Sequence, residues 1–381
     1  MKVTPLLILS DNPSYPTGLA RICRDVATLA CTMPEFRVAV LGRGIGQRRK
    51  FPFLLYDFPE YGQWGEGYIQ QAWDDFSGGE RGVILTIWDL TRCHWLVNPV
   101  GLPADLQQFL GDGRRFQRWA YVPLDSTGPD GEHLPTASTD CLLRYDRVLA
   151  ASEFGHRVMI TSGRKDADWL PHGLWLDKFH TTTKPEGPEV TVGCVMANQA
   201  RKDYPTAFGC FAVLRQRYGN LFHAWLHTDT LMGYWNVPAL AADYGITDCL
   251  ECTTSLSDDH LALRYSACDC TILPSGGEGF GYPIAESLAC GTAPIVTSYA
   301  AGAELAPALC RVDPVVYRVD TQHNVLRAVL GGAAFANAAE AQIDLKREDW
   351  EYRSQESAAT VAHLDWNKLK YQWMRWLREG L

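Results

Sequence analysis

The stretch Leu273–Glu304, LPSGGEGFGYPIAESLACGTAPIVTSYAAGAE, holds the densest set of residues able to do chemistry. Gly276, Gly277, Gly279 and Gly281 let a backbone approach a ligand closely and take positive φ where a turn needs it. Pro283 suits a first helical turn, where its missing N–H costs nothing. The amides left free at such a helix start form a site for an anion or for sugar oxygens. Two carboxylates flank the turn: Glu278 in the loop and Glu286 eight residues later, one turn into the predicted helix. Carboxylates at such positions accept two hydroxyl hydrogen bonds at once, as binding a polyol requires.

A basic pair, Arg201-Lys202, lies in VMANQARKDYP just past a predicted strand, at the carboxyl end where open α/β sheets bind ligands. Fixed cations there can stabilise negative charge on a ligand. The Asp-x-Asp sequence, Asp166-Ala167-Asp168, precedes a predicted strand and reads as a solvated loop, so metal-independent chemistry is expected.

Glu278-Gly-Phe-Gly-Tyr-Pro283, Glu286 and Ala289-Cys-Gly-Thr292 together resemble the signature of family 4 retaining, nucleotide-sugar-dependent glycosyltransferases (the group 1 glycosyl transferases). The resemblance implies a GT-B fold: two Rossmann-like, doubly wound parallel-sheet domains facing across a cleft, with a C-terminal helix crossing back to the first. It implies that Glu278 binds donor-sugar hydroxyls and steadies developing positive charge. Gly279, the amides of Phe280 and Gly281, and Tyr282 line the donor, and Glu286 holds the ribose. Asn198, Arg201 and Lys202 resemble the family's Asn-x-x-Arg-Lys turn, whose basic pair holds the diphosphate, and Asn198 is placed with the donor-binding residues. The co-substrate is then a UDP- or GDP-sugar, and no separate cofactor is expected.

In the first half, Ser10-Asp-Asn-Pro-Ser-Tyr-Pro-Thr-Gly18 is a strand-to-helix turn similar to the family's N-terminal glycine loop. Gly18 is placed with the donor, and Asn12 and Thr17 on the acceptor side. Asp89, also placed on the acceptor side, and Asp125 follow predicted strands and are expected to face the same cleft. Many family members carry a histidine where this chain reads Tyr121-Val-Pro-Leu-Asp125. Asp125 either orients the sugar or acceptor hydroxyl, or caps the following turn. Ser152-Glu-Phe-Gly155 and Leu170-Pro-His-Gly173 also resemble family landmarks; His172 is equally readable as structural.

The elements that position these residues alternate strand and helix, as parallel α/β sheets require. Strands are predicted at 6–10, 38–41, 83–88, 119–124, 147–151 and 167–170, then at 190–196, 221–227, 250–253, 270–273 and 293–297. Helices are predicted at 19–30 and 205–218. The segment from Gln47 to Gly82, rich in aromatics such as Tyr56, Tyr61, Trp64 and Trp73, reads as irregular, either a binding face or loop packing. The polar, proline-bearing 180–188 segment is the expected linker. That divides the chain into an acceptor-side domain, 1–180, a nucleotide-sugar domain, 188–350, and a returning helix, 351–381. The tail from Ser354 is expected to be helical with a tryptophan stripe on one face.

At 381 residues, 46% hydrophobic and 21% charged, the chain has room for two globular cores. No apolar run is long enough to span a bilayer. Twelve scattered cysteines without a secretory signal suggest buried thiols and a cytoplasmic protein. Cys249-x-x-Cys252 with Cys268-x-Cys270 is a zinc-like spacing, weighed against core packing. A net charge of −9 does not favour a nucleic-acid partner, although Arg43 with Gln47-Arg48-Arg49-Lys50-Phe51 is a short basic run. The acceptor stays open among a modified DNA base, a lipid or polysaccharide, a small molecule and a protein. A GT-B sugar-nucleotide epimerase and a non-catalytic sugar-nucleotide binder are the alternatives to transfer.

Overall fold

A computed structural model describes all residues except 1–2, 47–49, 61–62, 114 and 183–186. The chain divides into two compact units, one of residues 1–173 with 368–381 and the other of residues 174–367.

The first unit holds a seven-stranded parallel sheet of β1 (Thr4–Asp11), β2 (Phe36–Arg43), β3 (Leu54–Phe58), β4 (Gly82–Ile87), β5 (Phe116–Val122), β6 (Arg147–Ala150) and β7 (Asp168–Trp169). Their spatial order is β3-β2-β1-β4-β5-β6-β7, so the winding reverses between β1 and β4. Leu6 to Leu9 of β1 are all fully buried, as a strand covered by helices on both faces requires. The helix Gly18–Cys31 begins where the Thr17 hydroxyl accepts the Ala20 amide at 3.1 Å, a standard N-cap. Its Ile22, Val26 and Leu29 recur at three- and four-residue spacing and are buried.

The second unit repeats the plan with β8 (Val190–Val195), β9 (Phe222–His227), β10 (Leu250–Thr253), β11 (Cys270–Leu273), β12 (Pro294–Thr297) and β13 (Arg311–Val312). The order β10-β9-β8-β11-β12-β13 reverses between β8 and β11. An antiparallel hairpin, β14 (Val316–Val319) and β15 (Leu326–Val329), stands apart from this sheet.

Three expectations change. The 47–82 segment is not irregular, since it contains β3 and the helix Ile69–Ser77. β3 is a half-exposed edge strand, and its pairing with β2 supplies what its own pattern lacks. Ile69, Ala72, Trp73 and Phe76 did carry a helical spacing, with all four buried. Tyr61 and the Gln47-Arg48-Arg49 part of the basic run lie outside the described residues. The tail is two helices, Trp350–Thr360 and Trp366–Glu379, separated by a short turn at 362–364. The last helix returns the chain to the first sheet: Trp373 packs on Tyr121 with ring centres 4.8 Å apart, and Trp376 on Trp119 at 5.4 Å. Arg378 ties its end to Glu35 at 2.8 Å. The hairpin β14–β15 was not anticipated; Val316, Tyr317 and Val319 are exposed and show no alternation of burial to read.

Among the described residues no helix is long and apolar enough to cross a membrane.

Candidate active site

In the second unit the chemistry gathers at the carboxyl ends of β8 and β11, the pair that flanks the reversal of strand order. Ligands of open α/β sheets bind at such switch points. β11 runs into the 274–281 loop, which backbone and side-chain bonds hold from several directions. The Gly276 amide donates to Arg201 O at 2.7 Å, and the Ala328 amide of β15 donates to Gly276 O at 3.1 Å. Thr297 donates to Ser275 O at 2.6 Å, and the Ala301 amide to Glu278 O at 3.1 Å. Gly281 closes the loop at φ +96°, a left-handed conformation that L side chains rarely adopt. The helix Tyr282–Ala289 then starts, with Pro283 in its first turn.

Glu278 is only 6% exposed, and its carboxylate accepts a hydrogen bond from the Lys202 ammonium, itself 6% exposed. The Arg201 guanidinium lies 3.8 Å from the same oxygen. Burial alone would raise the Glu278 pKa; the Lys202 and Arg201 cations outweigh it and hold the carboxyl below its ordinary value. The site therefore keeps a buried carboxylate charged beside two cations. A sharp reversal makes this possible. Arg201 and Lys202 sit in a single 3-10 turn, and Asp203 follows at φ 39°, ψ 59°. Aspartate tolerates this left-handed region better than most residues. Its carboxylate accepts the Thr206 hydroxyl at 2.7 Å and the Thr206 amide at 3.3 Å, capping the helix Tyr204–Tyr218. Asp203 and Ser275, whose hydroxyl also reaches the Glu278 carboxylate, were not singled out from sequence. An aspartate after a basic pair and before Tyr-Pro was the available cap signal.

Glu286 is buried and accepts the Tyr265 hydroxyl at 3.0 Å. Phe280 and Tyr282 pack edge to face at 5.4 Å; both are largely buried, as is Gly279 between them and Glu278. Asn198 bonds to the loop that follows β9. Its side-chain amide donates to Thr230 O at 3.0 Å and Trp235 O at 2.8 Å, and its oxygen accepts the Trp235 amide at 2.7 Å. The carboxamide is thus spent on the 230–235 loop, and the Trp235 indole in turn donates to Gln199 O at 3.2 Å beside the basic turn.

In the first unit the predicted residues lie at the carboxyl ends of β1, β4 and β5. Thr17 donates to Asp11 at 3.0 Å, and the Trp88 indole donates to the other Asp11 oxygen at 2.9 Å. Asp11, absent from the sequence-derived set, is thus the carboxylate that organises this turn. Asn12 is fully buried, donates to Gly44 O at 2.8 Å and accepts Ser14, which makes it a brace between two loops. Gly18 is exposed at the helix start. Asp89 pairs with Arg92 at 3.2 Å, and Asp125 accepts the Ser126 hydroxyl at 2.8 Å.

Several other landmarks have structural partners. His172 is buried against Tyr121, 2.7 Å from its hydroxyl; burial, assisted by Arg21, pushes its pKa down to about 3 and keeps the ring neutral. Ser152 caps the helix Glu153–Thr161 by accepting the Gly155 amide. All twelve cysteines are free; Cys249, Cys268 and Cys270 are buried and Cys252 half-buried. Asp166 pairs with Arg164 at 2.9 Å, and Asp168 opens β7.

Residues 236–306, which include the loop and both glutamates, match the family model of the glycosyl transferases group 1. No curated protein matches the chain in sequence. Among solved structures, the sucrose-phosphate synthase of Thermosynechococcus elongatus is similar at a TM-score of 0.73 and 16% identity, over 99% of this chain and 98% of that one. Anabaena HepE in complex with UDP and glucose is similar at 0.70 and 14%, over 99% and 100%. The E. coli trehalose-6-phosphate structure bound with UDP-2-fluoro glucose is similar at 0.64 and 12%, over 98% of each chain. The chain has the GT-B fold.

Proposed function

We propose that this protein moves a sugar from a nucleoside-diphosphate sugar to an acceptor hydroxyl with retention of anomeric configuration. The observation that carries the reading is the buried Glu278 carboxylate, held charged by Lys202 and Arg201 on a glycine loop inside the segment that matches the group 1 model.

In this reading Arg201 and Lys202 share their charge between Glu278 and the donor diphosphate, stabilising the negative charge that grows as the bond from sugar carbon to phosphate oxygen breaks. Glu278 accepts donor-sugar hydroxyls and offsets positive charge on the sugar ring. Glu286, oriented by Tyr265, accepts the ribose hydroxyls. The acceptor oxygen bonds to the sugar carbon on the face the leaving group vacates, and its proton passes to the departing phosphate. Because fixed cations supply the charge, the step is proposed to need no metal. HepE and the E. coli structure hold UDP or UDP-sugars, which makes a UDP-sugar the first donor to test. The free, mostly buried cysteines support a reducing, cytoplasmic setting.

The test is a thermal-shift screen of UDP-, GDP- and ADP-sugars, followed by product analysis by NMR. Transfer releases free nucleoside diphosphate and gives a product of the donor's own anomeric configuration. A new sugar nucleotide without diphosphate release would instead identify an epimerase. Stabilisation by none of the nucleotide sugars overturns the proposal.

A further inference from the structure

A second concave site lies at the opposite, amino-terminal edge of the second sheet, away from the Glu278 loop. It is a cavity of about 160 Å³ between the start of β12, the 307–310 turn and the helices Gly332–Glu348 and Trp350–Thr360. Ala293, Leu309 and Leu345 supply its apolar walls, and Lys346, Arg353 and Glu356 its charged groups.

The charges do not balance. Lys346 is 4% exposed, and the two partners of its ammonium are neutral: Cys268 O at 2.8 Å and Thr292 Oγ at 2.9 Å. Two acceptors leave a third N–H donor, and a buried cation held by neutral groups is costly. Glu356 is already engaged by Arg353 at 2.9 Å. The lining thus carries one net positive charge, which a monoanion in the cavity would match. Burial accordingly pushes the Lys346 pKa down to about 8.

Lys346 is also linked to Glu286 by hydrogen bonds at the two ends of Tyr265, its backbone carbonyl and its hydroxyl. Thr292, flanked by the lining residues Gly291 and Ala293, accepts Lys346 and donates to Tyr265 O at 2.8 Å. The Tyr265 hydroxyl donates to Glu286 at 3.0 Å. We propose that the cavity is an effector site for a small oxyanion, a carboxylate or phosphate of roughly five to ten non-hydrogen atoms, whose occupancy alters donor affinity through Lys346, Thr292, Tyr265 and Glu286. The donor end of this linkage rests on the function proposed above.

The test uses the full chain and calorimetry with benzoate, inorganic phosphate and, as the neutral counterpart of benzoate, benzyl alcohol. At least one anion is expected to bind saturably in the millimolar range, and benzyl alcohol is not. Whether benzoate or phosphate binds tells which oxyanion the cavity takes. Ser357→Trp, which puts a large side chain at a lining residue that takes no part in the Lys346 bonds, should abolish that binding. Saturating anion should shift UDP affinity by about 5-fold or more, and UDP should shift anion affinity by the same factor. Thr292→Val should keep anion binding and lose the shift. Equal anion binding by Ser357→Trp, equal binding of benzyl alcohol, or a UDP affinity indifferent to the anion overturns the proposal. Failure of UDP to bind at all is read separately, as failure of the donor-site reading, because anion binding is measured without nucleotide.

Discussion

Lys202 and Glu278, 76 residues apart in the chain, meet as a buried ion pair beneath the glycine loop. The pair joins the loop after β11 to the turn after β8, so its geometry sets both the charge and the shape of the proposed donor site. A buried pair of this kind contributes little net stability when intact, because desolvation of both ions offsets their attraction. Breaking it is another matter.

Lys202→Met should destabilise the fold by roughly 3 to 5 kcal/mol, since it leaves the more distant Arg201 as the one cation beside a buried carboxylate. Adding Glu278→Leu to that variant should recover most of the loss. Denaturant unfolding of both variants checks this; equal stability of the two would mean that the pair is not coupled. Glu278→Gln, of nearly the same shape, should retain UDP binding and lower transfer by about 100-fold or more.

Acid should weaken the fold through the same carboxylate. The folded-state pKa of Glu278 lies below its ordinary value of 4.5. Its contribution is therefore fully present above that ordinary value and is lost as pH falls through the lower folded value. Unfolding free energies measured from pH 6 down to pH 3 should fall more steeply in the wild type than in Glu278→Gln. Parallel curves would contradict the charged, buried state of Glu278.

Gly281→Ala tests the loop itself. The residue stands at φ +96°, and an added Cβ would lie 2.8 Å from the Ile284 side chain. We expect a loss of roughly 1 to 3 kcal/mol from backbone strain and weaker nucleotide binding as the helix start shifts. Thermal unfolding with and without UDP measures both effects, and an unchanged affinity for UDP would separate the loop conformation from binding.

Trp373→Ala tests the returning helix. Trp373 is fully buried and stacks edge to face on Tyr121 in the first unit. Loss of such a side chain should cost about 3 to 5 kcal/mol. Denaturant unfolding gives the value, and a loss under 1 kcal/mol would mean that the helix is only loosely attached.

Much of the proposed donor site was legible because its signals are local. The Glu278 loop, Pro283 and the Arg201-Lys202 turn are short segments in which residue type dictates backbone conformation. The strand 270–273 was read to the residue because it is a short, fully buried run bounded by helix and turn signals. The hairpin β14–β15 and the edge strand β3 were not legible, since partly exposed strands acquire their identity from a neighbour and not from their own pattern.

The sequence by itself determined the alternation of strand and helix, the glycine loop with its two glutamates, and the basic pair. Only the tertiary structure decided what each polar side chain touches. It assigned Asn198 to the 230–235 loop, His172 to a buried neutral site beside Tyr121, and Asp11 to the centre of the first turn. It also brought Lys202 onto Glu278 and Lys346 onto Thr292. The physical reason is one of range. Backbone preferences act over a few residues, whereas a buried polar group takes whichever partner the folded chain brings within about 3 Å. That partner can lie anywhere in the sequence.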